Sequence, residues 1–321
     1  MRNKNIDILR GIATLSMILI HTSYYFIGTE KSALFIWNWS QFAVPMFVFC
    51  AGYVFFLKDK IKNLSDYLTY MKHRLFRLLF PYWIFMVFFF PIIWYTSRSL
   101  SFNYVWQSIF IMGGIDINWL VLLMIELAIL FPFVAYLQNK QPWLFKIYIV
   151  LNVLLGFIIF FWHWNVNYKF TMWYFWGLSG ISSMLILPNI TKKFRYIFFV
   201  LSLIVFIFLF VNGYIHHHDL SFINNKYPPD LYILSYGMVA CLGLYQLAEW
   251  GVFNYFIQPL SFISKHSYSI YFIHYSFLIF LAYYLHELHL TWYLFFALIV
   301  TITLIVQWSY NKIAIKFTTN K

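Results

Sequence analysis

Two side chains that a bilayer should exclude stand eleven residues apart in the first apolar run, Arg10 and His21. A helix has about 3.6 residues per turn, so eleven residues close three turns with roughly 20° left over. The two groups therefore share one face, about 16 Å apart along the axis. Asp7, three residues before Arg10, lies near that face as well. The run thus offers an acid and a base at one end and a titratable imidazole toward the other. The structural reading is a snorkelling arginine and a histidine satisfied inside a bundle. The functional reading is that ionisable groups at membrane depth face a cavity or a bundle interior and mark a site. The shared face favours the functional one. A neutral imidazole can take a proton from an attacking hydroxyl or can itself accept a transferred group.

A second group of polar residues falls on later runs. In Lys72-His73-Arg74-Leu75-Phe76-Arg77, Arg74 and Arg77 are an i, i+3 pair whose guanidinium forks can converge on one object. Arginine holds phosphate through paired donors, a role that lysine fills poorly. Lys58 to Lys72 read as stop-transfer positives, whereas Arg77 is already inside the apolar run, and Pro81 removes a backbone hydrogen bond just beyond it. Trp119 opens the next run and Glu126 follows seven residues later on the same face. Glu126 is the only acid well inside an apolar span, either an arginine's partner or a proton-handling group. In Ser267-Tyr268-Ser269-Ile270-Tyr271-Phe272-Ile273-His274, Tyr271 sits one turn before His274. Glu249 reads as an interfacial acid. The run His216-His217-His218-Asp219 invites a metal, but adjacent histidines place their rings poorly on one ion, so no metal site is expected.

The elements that must carry these residues follow from composition. Sixty-three per cent of the chain is hydrophobic and only 10% charged, with a mean hydropathy of +0.73. Soluble domains carry about 25% charged residues, so lipid must cover most of this surface. Aromatic residues make up 25%, and Trp and Tyr suit the two membrane interfaces. The net charge of +12 does not indicate nucleic-acid binding, because the basic residues lie in short pieces between apolar runs. Cys50 and Cys241 sit inside apolar runs and suggest no disulfide framework. The first run is longer than a typical signal-peptide core and no A-x-A-like site follows it, so it reads as a retained helix.

Spanning helices need about 20 mostly apolar residues. Runs of that order fall at 8–27, 33–57, 74–95, 119–137, 144–162, 171–187, 194–212, 231–250, 268–285 and 291–311, the sixth and ninth being short and polar-flecked. The expectation is an all-α integral membrane protein of about ten transmembrane helices, one domain over residues 1–321, with no internal repeat. With both termini in the cytoplasm, only Lys31, Arg98, Lys169 and Lys226 of the 22 basic residues fall outside, as the positive-inside rule requires.

The first run, IDILRGIATLSMILIH, resembles the opening of the membrane acyltransferase-3 family, which places an arginine or lysine ten intervening residues before a histidine. Arg74-Leu75-Phe76-Arg77 followed by Pro81-Tyr82 is similar to the family's R-x-x-R motif, and residues 267–274 resemble its late helix motif. The three occur in the family's order over the whole chain. The resemblance implies a multi-pass protein of the bacterial cell membrane that moves an acyl group, commonly acetyl, from cytoplasmic acyl-CoA to a hydroxyl of an envelope or exopolysaccharide sugar. Some members carry a fused extracytoplasmic SGNH-type domain. This chain stops at Lys321, so the stand-alone form is expected, with the acceptor coming to the membrane or a separate extracytoplasmic transferase finishing the transfer; a homo-oligomer is the other partner this reading allows.

On that reading Arg10, Arg74 and Arg77 hold the CoA phosphates and the pantetheine arm reaches toward His21. His21 is then the base or the acyl carrier, and Glu126 shares the catalytic work. Asp7, Trp119, Tyr271 and His274 support them. No cofactor is held permanently; acetyl-CoA or another acyl-CoA is the donor. The competing reading is an exporter of polysaccharide or lipid-linked sugar, since intramembrane Arg, Glu and His also mark transport paths.

Overall fold

The structure, a computed structural model, describes residues 3–58, 61, 63–162, 168–187 and 191–319. Arg2, Lys60, Lys62 and Lys321 of the basic set lie outside the described residues. Fourteen α-helices occur among those described: α1 (Lys4–Ser23), α2 (Lys31–Trp39), α3 (Ala43–Lys58), α4 (Leu64–Ser97), α5 (Phe102–Ile109), α6 (Asn118–Lys140), α7 (Pro142–Trp162), α8 (Tyr168–Ile186), α9 (Lys192–Ile215), α10 (Leu231–Glu249), α11 (Ile257–Lys265), α12 (Ser267–Tyr283), α13 (Leu285–Leu288) and α14 (Trp292–Thr319). Eight stretches of the described residues are long and apolar enough to cross a membrane. The two polar-flecked runs form α8 and α12, which stand outside those eight. The α9 helix turns Leu201, Ile204, Ile207, Phe208 and Val211 outward, a surface that only lipid makes favourable. The chain is a multi-pass membrane protein.

Three boundaries differ from the sequence reading, each for a local reason. The second run is two helices rather than one. Pro45 cannot donate to the carbonyl of Gln41, and Gln41 turns its side-chain amide back to the Trp37 carbonyl at 3.0 Å. The third helix starts ten residues before residue 74, because Asn63 caps it by accepting the Asp66 N–H at 2.9 Å. It then runs unbroken through Pro81 and Pro91. The short helices α5 and α11 lie in what reads as loop.

The chain divides into two compact units. The first comprises residues 1–41, 80–116 and 253–321, and the second 42–79 and 117–252. In the first, α1 packs against α2, α11, α12 and α14. It meets α11 backbone to backbone: a Cβ on Gly11 would stand 2.6 Å from the Leu260 carbonyl oxygen and 3.1 Å from its Cα. Small residues allow such close crossings where lipid gives helices no hydrophobic reason to associate. In the second unit, α3 crosses α8 at Gly52 and Gly180 with the same intimacy. There α10 packs on α9 and α3. Arg195 at the start of α9 donates from Nη2 to both carboxylate oxygens of Glu249 at the end of α10, at 2.7 and 2.8 Å. Both side chains are largely buried, and Arg195 also stacks over Tyr245. Glu249 is therefore a helix-pairing residue rather than a loose interfacial acid.

Candidate active site

His21 occupies the last turn of α1, half-buried. Its Nδ1 lies 2.9 Å from Nε2 of His274 on α12, and the two ring planes are within 3° of parallel. His274 is fully buried, and its Nδ1 lies 3.1 Å from the Ile270 carbonyl one turn earlier. That carbonyl can only accept, which fixes the tautomers of the neutral rings in sequence. His274 donates from Nδ1 to Ile270, so its Nε2 accepts; His21 must then donate from Nδ1, and its basic lone pair is left on Nε2. A neighbour that fixes an imidazole's tautomer is what a histidine base needs. Tyr275 stands edge-on to His21 at 5.8 Å between ring centres, and Tyr271 is tilted against His274 at 5.9 Å. Tyr271 packs on His274 and makes no ring contact with His21 itself.

The residues of the first turns of α1 divide in role. Asp7 is buried and accepts a hydrogen bond from the Ser264 hydroxyl of α11 at 3.0 Å. It ties α1 to α11 beside the Gly11 crossing. Arg10 stays half-exposed on the same helix, and its carbonyl accepts the Thr14 hydroxyl at 2.8 Å. The first unit thus gathers Asp7, Arg10, His21, Tyr271 and His274.

The second unit holds the other candidates. Arg74 and Arg77 stand one turn apart on α4, Arg74 half-buried and Arg77 exposed. Trp119 begins α6 and meets Tyr227 edge-on at 5.4 Å. Lys226 lies 5.3 Å from the centres of both rings. Burial pushes its ammonium down to about 7, while the two ring faces favour the charged form. Glu126 meets the backbone of Trp173 on α8, and its Oε2 is buried without a hydrogen-bond partner among the described residues. No described arginine pairs with it. A buried carboxyl oxygen left without a donor is costly, which fits a proton-handling group better than a structural ion pair. Among the described residues no group of three His, Cys, Asp or Glu is placed to hold a metal, His216 to His218 included.

Sequence reasoning passed over Ser264 and Tyr275. The Asp7–Ser264 bond joins residues 257 positions apart, so no local pattern announces it. Tyr275 adjoins His274, and its signal was its place immediately after a motif histidine.

A comparison with protein-family models matches residues 3–310 to the acyltransferase-3 model, described as an acyltransferase domain. No curated protein and no solved structure matches the chain.

Proposed function

The chain belongs to the membrane acyltransferase-3 family, and on that premise we propose that it carries an acyl group, acetyl in the first instance, from cytoplasmic acyl-CoA to a hydroxyl of a cell-envelope or exopolysaccharide sugar. The observation that carries this reading is the His21–His274 hydrogen bond, which leaves a basic nitrogen on a half-buried ring in the membrane domain. In the reaction, His21 Nε2 removes the proton of the acceptor hydroxyl as its oxygen attacks the thioester carbonyl. The tetrahedral intermediate collapses, the C–S bond breaks, and the CoA thiolate takes the proton back from the imidazolium. The products are the sugar ester and CoA thiol. Glu126 is the second proton-handling group of this proposal.

Arg10, Arg74 and Arg77 are the proposed hold on the CoA phosphates. The topology that goes with it has ten spans, α8 and α12 included, and both termini in the cytoplasm of a bacterial cell membrane. It is supported by the basic residues at the matching helix ends and by the Arg195–Glu249 pair, which puts the start of α9 and the end of α10 at one level.

The test is transfer by purified protein. His21→Ala should lower turnover by about 10²–10⁴-fold, the usual worth of a general base, while acetyl-CoA still raises the thermal midpoint. Arg77→Lys should raise the donor KM and leave insertion intact. Near wild-type transfer by His21→Ala would remove the catalytic assignment. A protein that acetyl-CoA neither stabilises nor acylates would remove the donor.

A further inference from the structure

His266 is the joint between α11 and α12. Its N–H meets the Phe262 carbonyl at 3.2 Å behind it, and its carbonyl accepts the Ile270 N–H at 2.9 Å ahead of it. Its half-buried ring lies 4.9 Å from the Phe262 ring, centre to centre. Both ring nitrogens meet amides of α14: Gln307 Nε2 is 3.3 Å from Nδ1, and Asn311 Nδ2 is 3.0 Å from Nε2. The two amides also meet each other, Gln307 Nε2 donating to Asn311 Oδ1 at 3.0 Å. Three side chains thus close a ring of three contacts. Gln307 is 1% exposed, so water does not relieve a mismatched contact there. Ser269 stands beside it, its hydroxyl on Gln307 Oε1 and, at 3.0 Å, on the His266 carbonyl.

Donors and acceptors can be counted around this ring. With the amides as just given, each turns an NH2 group to the imidazole, and both ring nitrogens must accept. Only an imidazole stripped of both protons could do so. Turning both amides by 180° exchanges oxygen for nitrogen within the same outline. Asn311 then donates to Gln307, and both ring nitrogens meet carbonyl oxygens. That arrangement needs both nitrogens protonated, which is the imidazolium. A neutral ring has one donor and one acceptor, and leaves a contact of like with like whichever way the amides turn. Ser269 argues for the same arrangement. Its single proton cannot serve the His266 carbonyl and Gln307 Oε1 together. With Gln307 turned, it accepts from Gln307 Nε2 and donates to the carbonyl.

We propose that His266 is held as an imidazolium and is a positioning residue for the reaction: the charged ring fastens the start of α12 to α14, and α12 carries His274 to His21. The inference rests on the acyl-transfer reading for its effect on turnover; the charge follows from the hydrogen-bond ring alone. His274 stands eight residues on, about 12 Å along the helix, where its Nε2 meets His21 Nδ1 at 2.9 Å. Around the joint, α1 carries Lys4, Asp7 and Arg10, α14 carries Tyr310, Lys312 and Lys316, and Lys265 and Tyr268 flank His266 in sequence. Five of the six charged residues among these are cations, so their charge favours a neutral ring, and the two turned carbonyls are what hold the proton. A neutral ring suffers one mismatched contact, which should set His266 titrating at about pH 7.5–8.5 instead of the ordinary value of about 6.5. The folded state then binds this proton more tightly than the unfolded chain. Its contribution to stability is complete below about pH 6.5 and is lost as pH rises through about 8.

The experiment uses purified full-length protein with isotope-labelled histidine, and nitrogen NMR reads the protons on each ring. His266→Asn identifies the His266 signals by their loss; should that variant fail to fold, the signals that move with Gln307→Glu identify the same ring. Both His266 nitrogens should be protonated at neutral pH, and one should lose its proton at about pH 7.5–8.5. Turnover from acetyl-CoA to the alkali-deacylated envelope glycan of the cells that make the protein should fall through the same range. Gln307→Glu puts a carboxylate oxygen beside Nδ1. It should move both the NMR step and this alkaline limb up by about one pH unit, and leave the acid limb set by His21 where it was. A neutral His266 at neutral pH would overturn the charge. An imidazolium whose titration leaves turnover unchanged, or an alkaline limb that Gln307→Glu does not move, would overturn the positioning role. An imidazolium in protein that transfers no acyl group would overturn the acyl-transfer reading, and the positioning role with it, and leave the charged joint standing.

Discussion

His274→Phe isolates what the second histidine does. Phenylalanine keeps an aromatic ring between Tyr271 and Tyr275 and removes the acceptor that His21 Nδ1–H now meets at 2.9 Å. Without that acceptor, His21 can carry its proton on either nitrogen. A neutral hydrogen bond is worth about 0.5–1.5 kcal/mol net, so the productive tautomer should fall about two- to tenfold. The turnover number should fall by the same factor, while the donor KM should stay put because the substitution leaves the proposed phosphate-holding arginines unaltered. His21→Ala would lose the proposed base itself and should cost far more, about 10²–10⁴-fold. His274→Gln offers an amide oxygen that can accept from His21 and should recover part of the activity that Phe loses. The assay is steady-state transfer from labelled acetyl-CoA, with thermal midpoints confirming that each variant is folded. A His274→Phe enzyme as inactive as His21→Ala would mean that His274 does chemistry of its own. A fully active one, or a Gln variant no better than Phe, would show that the tautomer argument is wrong.

Two further predictions concern the scaffold. Gly11→Ala puts a methyl group against the Leu260 backbone at 2.6 Å; neither side is a flexible side chain, so overpacking should lower stability by about 1–3 kcal/mol, read as a lower thermal midpoint in detergent. Glu249→Gln leaves the largely buried Arg195 guanidinium without its carboxylate partner and should cost about 1.5–3 kcal/mol. Arg195→Met with Glu249→Leu should recover much of that loss, because replacing both partners leaves no buried charge behind.

The membrane class was legible because it depends on composition and run length, which are sums over many residues. The face shared by Arg10 and His21 was legible because helix periodicity is local. What escaped were contacts between distant segments. Nothing in Ser-Tyr-Ser-Ile-Tyr-Phe-Ile-His states that His274 will meet His21, and nothing around Asp7 announces the Ser264 hydroxyl 257 positions away. Span boundaries failed where capping and proline chemistry outweighed hydropathy. Asn63 starts α4 among polar residues that a hydropathy window excludes, and Pro45 divides a run that looks continuous. The two runs with most polar flecks became α8 and α12. One of them carries His274, so the segment that reads least like a membrane helix supplies the partner of the candidate base.

The length of α4 has a consequence for the proposed hold on CoA. Its 34 residues make a rod of about 51 Å. A hydrocarbon layer of about 30 Å takes about 20 of them, and even a 40° tilt leaves the rod about 39 Å tall. Counted back from Ser97, that many residues reach Leu78. With Ser97 at one edge of that layer, as the proposed topology has it, Arg77 and Arg74 would stand at the depth of the lipid headgroups, where phosphodiesters are the most abundant anions. Lipid phosphate and CoA phosphate would compete for the same guanidinium forks. If these arginines hold CoA as proposed, the apparent affinity for the donor becomes a property of the bilayer as well as of the protein: weakest in membranes rich in anionic lipid and strongest where zwitterionic lipid leaves the forks less occupied.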